Sequence, residues 1–152
     1  MNSSFFNNDI IIHDQAVKSV AYAYNFEKDF EISDCDLNFN LLRHKENIRD
    51  FKVQLFLELE NFKILVEGHY EVSEAIKEES IDELVKFAGL ATLIPFLRYS
   101  IYTITSTTKE KGVHLPLINL QQLIKNQIQK NKEVDKTQKT SQKRKKSLKN
   151  KK

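Results

Sequence analysis

Tryptophan is absent from this 152-residue sequence, glycine occurs three times, proline twice and cysteine once, at Cys35. A lone cysteine closes no intramolecular disulfide and anchors no structural zinc site, which excludes a disulfide scaffold and a zinc finger. Three glycines leave little material for a phosphate cradle, and the sequence contains no Walker loop, no G-x-G-x-x-G turn and no G-x-S-x-G elbow. Histidine is sparse as well: His13, His44, His69 and His114 stand at spacings that match no metal motif, so neither metal nor cofactor is expected. The acidic run Glu78, Glu79, Asp82 and Glu83 reads as a solvated face favouring a positive helix start rather than a catalytic pair. No nucleophile has a recognisable base near it in sequence, so an enzyme and a small-molecule substrate are not expected. No charged-then-apolar leader pattern opens the sequence, and charges are expected to interrupt every apolar run short of the roughly 18 to 20 residues that cross a bilayer. A soluble, cytoplasmic protein is the expectation.

What the sequence does have is strand formers and charge: ten Phe, five Tyr, 40% hydrophobic and 30% charged residues, enough for one core. The net charge of +3 hides an asymmetry. Residues 130–152 hold eleven Lys or Arg against Glu133 and Asp135, which leaves the first 129 residues at −6. That tail has almost no apolar residue besides Val134 and Leu148, so burial cannot offset its ordering entropy. The expected division is a flexible N-terminus over 1–11, one domain over 12–129 and a disordered basic tail over 130–152.

Within the domain, apolar residues alternate at Val20, Tyr22, Tyr24 and Phe26, predicting a first strand. Leu37, Phe39 and Leu41 alternate with Asp36, Asn38 and Asn40, predicting a second strand to about Arg43. Phe51, Val53, Leu55, Leu57 and Leu59 predict a third. Phe62, Ile64, Val66, Tyr70 and Val72 predict a fourth, paired with the third as an antiparallel hairpin across Asn61. The spacing Ser80-Ile-Asp-Glu83 fits a capping box and predicts a helical start near Ser80. Leu93, Phe96, Leu97, Ser100, Ile101 and Ile104 share one helical stripe, and Pro95 suits only a first turn, so a helix from about Thr92 is expected. Gly112 and Pro116 then break the chain. Asn119 stands at an N-cap position ahead of Leu120, Leu123, Ile124 and Ile128, which predicts a short amphipathic helix.

In this order of elements, in IPFLR (Ile94 to Arg98) followed by SIYTIT, and in LPLINLQQLIKNQI, the sequence resembles the SecB protein-export chaperones over roughly residues 12–129. The resemblance implies a SecB-like α+β fold: a four-stranded antiparallel sheet with a long helix and a shorter C-terminal helix packed on one side. It also implies an ATP-independent holdase that binds unfolded client polypeptides as a homotetramer, a dimer of dimers, and delivers them to the translocase motor SecA. Carried over by position, Leu37, Phe39, Leu41, Leu120, Leu123 and Ile124 would line the peptide groove. Phe96, Tyr99, Ile101 and Tyr102 would lie at the oligomer interface. The same side chains read without the family are core positions of a sheet and its helices. Ser19 and Ala23 occupy the positions where the family carries acidic residues for docking on the motor. The connection from Gly112 to Asn119 is shorter than the family's, and the tail is basic where the family's is acidic. These departures leave open a second reading, a SecB-like chaperone dedicated to one labile partner such as an antitoxin. A third, of another class, is nucleic-acid binding through the tail's Lys143 to Lys146, or contact of that tail with an anionic membrane.

Overall fold

The structure, a computed structural model, describes residues 9–22, 36–59, 62–107, 112–130 and 132. Four strands, β1 (Ile10–Tyr22), β2 (Leu37–Arg43), β3 (Asp50–Leu59) and β4 (Phe62–Val72), precede the long helix α1 (Glu78–Ser106) and a shorter helix α2 over residues 120–130. The strands form one antiparallel sheet in the order β1-β4-β3-β2, which leaves β1 and β2 at its edges. Alternation of burial along β3 and β4 gives the sheet one apolar face. Both helices bury their apolar residues against that face: Leu90, Leu93 and Leu97 of α1 and Leu123 and Ile124 of α2 share one core with Val53, Leu55, Val66 and Tyr70. This is the α+β arrangement that the resemblance to the SecB chaperones implies.

β1 starts ten residues before Val20, where the alternation places it, and Ile10 and Ile11 of the N-terminal segment expected to be flexible belong to the strand. The cause is two irregularities in the pairing with β4, one between Ile12 and Asp14 and one between Val17 and Ser19. Partners of the inward-facing Val72, Tyr70, Gly68, Val66, Ile64 and Phe62 are Ile10, Ile12, Gln15, Val17, Val20 and Tyr22, spaced two, three, two, three and two residues apart. Each bulge inserts a residue and breaks the period of two that identifies a strand. Positions 23–26 of the expected strand, and the connection at Asn61, lie outside the described residues.

One helix of 29 residues replaces the separate helical region near Ser80 and the helix expected from Thr92. Its N-cap is Lys77, without a side-chain capping bond, so the Ser80 capping box does not form. The entry to α1 is fixed from outside. The Arg49 guanidinium, in the turn between β2 and β3, donates to the carbonyls of Ser73 (2.6 Å) and Ile76 (3.0 Å). Pro95 lies in the helix interior, where a proline costs about 3 kcal/mol. That position is tolerable because the carbonyl left without its amide partner, that of Ala91, lies on the exposed side together with Pro95 and is open to water.

Between Lys86 and Lys109 the only charge is Arg98, so α1 is long and apolar enough to cross a membrane by length and composition, contrary to the expectation that charges interrupt every run. Here one side of it is core: Ile81, Val85, Leu90, Leu93, Leu97 and Ile101 are buried against the sheet. Buried hydroxyls in its second half bond back to the preceding turn, Ser100 to the Phe96 carbonyl and Thr105 to that of Ile101, each at 2.8 Å. Beyond α1 the chain returns close to the helix. The Val113 amide donates to Thr105 Oγ1 (2.7 Å), and a Cβ at Gly112 would stand 2.6 Å from the Tyr102 ring, so only glycine fits there. Asn119 then caps α2, its side chain accepting from the Gln122 amide at 3.1 Å. Apart from Lys130 and Lys132, the basic tail lies outside the described residues.

Candidate functional site

Of the six residues expected to line a groove, four lie in the chain's own core and two at its margin. Leu37 and Leu123 are 1% exposed and Phe39 and Ile124 8%, all within the single core. Leu41 and Leu120 are half-buried and pack on its margin. The end of α2 is fastened over β2, with Lys130 Nζ donating to Asn38 Oδ1 at 3.2 Å. Exposed apolar residues adjoin these elements in sequence: Leu42 on β2, Leu117 before α2, at 87%, and Ile128 on α2. Leu117 directly follows Pro116 and Leu115, and Leu115 is buried; the connection therefore holds one leucine in the core and presents the other to solvent. Periodicity could not find Leu117, because it belongs to no regular element.

The four residues expected at an oligomer interface separate by side of the helix. Ile101 is 1% exposed and belongs to the chain's own core, and Phe96 is partly buried against that core. Tyr99, at 68%, and Tyr102 face outward. With Phe87, Ala91 and Pro95 they form a largely apolar stripe at spacings of three and four along the side of α1 turned away from the sheet, with the half-buried Arg98 beside it, three residues after Pro95 and four before Tyr102. An ordinary surface helix turns a polar side to water. A second apolar surface was not anticipated from sequence. α1 packs mainly on β3 and β4 and less on β1. Ile12, Val17 and Val20, on the helix side of β1, are consequently exposed, as is Ile11 on the other side. The far edge of β1 pairs with no strand among the described residues.

The opposite face of the sheet is polar and largely matched within itself. Glu67 accepts from Gln54 Nε2 (2.8 Å) and lies 3.4 Å from Lys18 and 3.6 Å from Lys52. The Gln54 bond, followed by the two lysines, holds its carboxyl below the usual glutamate value despite the opposing effect of burial. His13 meets Glu71 at 2.9 Å, His69 meets Asp50, Lys63 meets Glu58, and the His13 and His69 rings lie 4.7 Å apart. A cavity of about 450 Å³ opens at the end of this face, lined by Leu42, Arg43, His44, Asp50, Phe51, Lys52 and His69. It contains no hydroxyl or thiol nucleophile. Arg43 is engaged by Asp82 and lies over the Phe51 ring, and His44 Nδ1 accepts from the amides of Glu46 and Asn47. Among the described residues no group of three or more His, Cys, Asp or Glu is arranged to hold a metal ion.

No protein-family model matches the sequence, and no curated protein matches it. Among solved structures the chain is similar to a SecB-like chaperone of Mycobacterium tuberculosis, solved in complex with a ChAD peptide from the HigA1 antitoxin, with a TM-score of 0.50 and 15% identity over 74% of this chain and 92% of that one. A Streptococcus agalactiae protein of unknown function matches with a TM-score of 0.38 and 14% identity over 71% of this chain and 97% of that one. At such identities the likeness to the chaperone is one of architecture, and what it establishes for this chain is a SecB-like fold.

Proposed function

We propose that this chain is a member of the SecB family acting in the cytoplasm as an ATP-independent holdase, a homotetramer that binds unfolded polypeptide without catalysis. The observation that carries the reading is apolar surface left uncovered on several elements of one small fold: Ile12, Val17 and Val20 on β1, Phe87, Tyr99 and Tyr102 on α1, and Leu117 before α2. Apolar surface of this extent marks sites for partners. The edge of β1 and the stripe on α1 are continuous along regular elements and suit copies of the same chain. Leu117 and Ile128, on the connection and helix that hold the half-buried Leu120, suit an extended client that need not match a fixed shape.

Two forms of this reading differ in what receives the client. Export requires docking on the motor SecA, which the resemblance assigns to acidic residues at positions held here by Ser19 and Ala23. On the face that carries the exposed Ser19, four carboxylates, those of Glu58, Glu67, Glu71 and Asp50, each have a basic or amide partner, while Asp14 of β1 stands exposed on the same face. Carboxylates matched locally project little field toward a basic partner. A chaperone dedicated to one labile partner needs no such docking, and the SecB-like neighbour was solved with an antitoxin peptide; both points favour that form.

The test is light scattering from a chemically denatured client diluted into the chaperone without ATP. Wild type is expected to suppress aggregation. The exposed pair Leu117→Asp and Ile128→Asp should weaken holding by about tenfold or more, the loss expected from about 1.5 kcal/mol per apolar contact, with circular dichroism unchanged. Full aggregation in the presence of wild type would remove the reading, and calorimetric titration against purified SecA separates its two forms.

A further inference from the structure

Arg98 stands on α1 without an answer in its own chain. It is the only charge between Lys86 and Lys109 and lies half-buried beside the stripe of Phe87, Ala91, Pro95, Tyr99 and Tyr102. Among the described residues nothing accepts from its guanidinium, which in the single chain is left to water. Covering the stripe removes that water, and a guanidinium taken out of water is strongly unfavourable unless it meets a carboxylate. The same side of α1 holds a carboxylate at its other end. Glu83 lies four residues before Phe87, the spacing that joins Phe87 to Ala91 and Ala91 to Pro95; it is exposed and likewise unpaired among the described residues. Asp82, next to it, is engaged by Arg43. Within one helix Arg98 and Glu83 are about 22 Å apart and cannot meet.

We propose that α1 packs on α1 of a second copy, antiparallel about a two-fold axis at Ala91, with Arg98 of each copy bonded to Glu83 of the other. The inference rests on the reading of this chain as an assembly of copies and gives that assembly a register. A two-fold axis across two antiparallel helices sets each residue opposite the one equally far on the other side of the axis. Ala91 is the smallest residue of the stripe and lets the two backbones approach. About it, Phe87 falls opposite Pro95, and Glu83 falls opposite Tyr99, the neighbour of Arg98. Arg98 then stands about 10 Å along its helix from the crossing point and Glu83 of the second copy about 12 Å along its own, on the same side of the crossing. Other registers leave the cation unanswered. A parallel pair sets Arg98 against Arg98. An axis at Pro95 or Tyr99 sets it against Thr92 or Ser100, because α1 carries no acid beyond Glu83. The contact is the same surface on both copies, so the charge pair forms twice, and guanidinium and carboxylate can share two parallel hydrogen bonds.

The experiment follows assembly of the full-length protein by sedimentation equilibrium. Arg98→Glu and Glu83→Arg each set like charges face to face twice, and each should weaken the α1 contact by about tenfold or more, halving the mass of the wild-type assembly. Combined in one chain, the two substitutions restore opposite charges in exchanged places, and the double variant should assemble within about threefold of wild type. That recovery also excludes unfolding as the cause of the single effects. Single variants that assemble as wild type does, or a double variant no better than its parents, overturn the proposal. So does rescue of Arg98→Glu by Glu79→Arg in place of Glu83→Arg, which moves the axis away from Ala91. A wild type found as one subunit overturns the assembly reading and this register with it, whereas a wild-type assembly indifferent to the exchanges overturns the register alone.

Discussion

Gly89 of α1 lies close against β3, and a Cβ there would stand 2.7 Å from Val53 Cγ2. Two effects oppose one another at this position. Alanine is the better helix former by about 1 kcal/mol, whereas overpacking a filled core costs about 1 to 3 kcal/mol, and Val53 is fully buried with a stiff β-branched side chain that has little room to yield. Gly89→Ala should therefore destabilise the wild type by up to about 2 kcal/mol, yet stabilise a Val53→Ala background by about 1 kcal/mol. Urea unfolding of the four proteins in this cycle measures the coupling; stabilisation of equal size in both backgrounds would show that the close approach does not exist. Glu67 yields a prediction in pH. Its carboxyl is held below the ordinary value of 4.5 by Gln54 and then by Lys52 and Lys18, so its contribution is complete above 4.5 and disappears as pH falls through the lower folded-state value. The stability gap between wild type and Glu67→Gln should be constant near neutrality and close in acid, and a gap that stays the same width throughout would contradict the assignment.

Elements were legible in the sequence wherever their pattern follows from one local rule. β3 and β4 alternate strictly because one face of each is core, and both were readable to within a residue or two. Asn119 announces α2 because the cap is a local hydrogen bond. The start of β1 was hidden by two bulges, whose spacing of three conceals a strand from a search with period two. α1 was read as two pieces because Pro95 and the Ser- and Thr-rich second half contradict helix propensity; what overrides propensity is burial of one side along Ile81 to Ile101, which no local window contains. The candidate site was less legible for a related reason. Apolar residues at Leu37, Phe39, Leu123 and Ile124 signal only that they will be covered, not by what, and in the fold all four lie in the one core shared by the sheet and both helices. Ile101 and Tyr99 lie two residues apart and fall on opposite sides of the same helix, a distinction that rests on where the sheet lies.

At the scale of the whole molecule, the sheet is wider than the helices that cover it. α1 packs mainly on β3 and β4 and less on β1, α2 is tied to β2 through Lys130, and β1 is left with an open edge and exposed Ile12, Val17 and Val20. A long apolar edge strand is a template for another chain, and soluble proteins blunt such edges with lysine or cover them. β1 has Lys18 alone and is covered by nothing described, so the economical solution is a second β1 related by a two-fold axis, which closes both edges at once. The stripe of Phe87, Tyr99 and Tyr102 lies on the outer side of α1, away from the sheet, so it remains available after that pairing and can join two dimers. Light scattering coupled to size-exclusion chromatography should accordingly give wild type a mass of about four 17.8 kDa subunits. Tyr99→Asp should halve the mass by opening the α1 contact, whereas Val17→Lys with Val20→Lys should remove the strand pairing and leave no species larger than an α1-linked dimer. The substituted side chains are exposed in the single chain, so unfolding is not expected, and circular dichroism verifies it. A wild type that elutes as one subunit at micromolar concentration would mean that β1 and α1 tolerate water as they stand, and the argument for assembly would lose both of its surfaces.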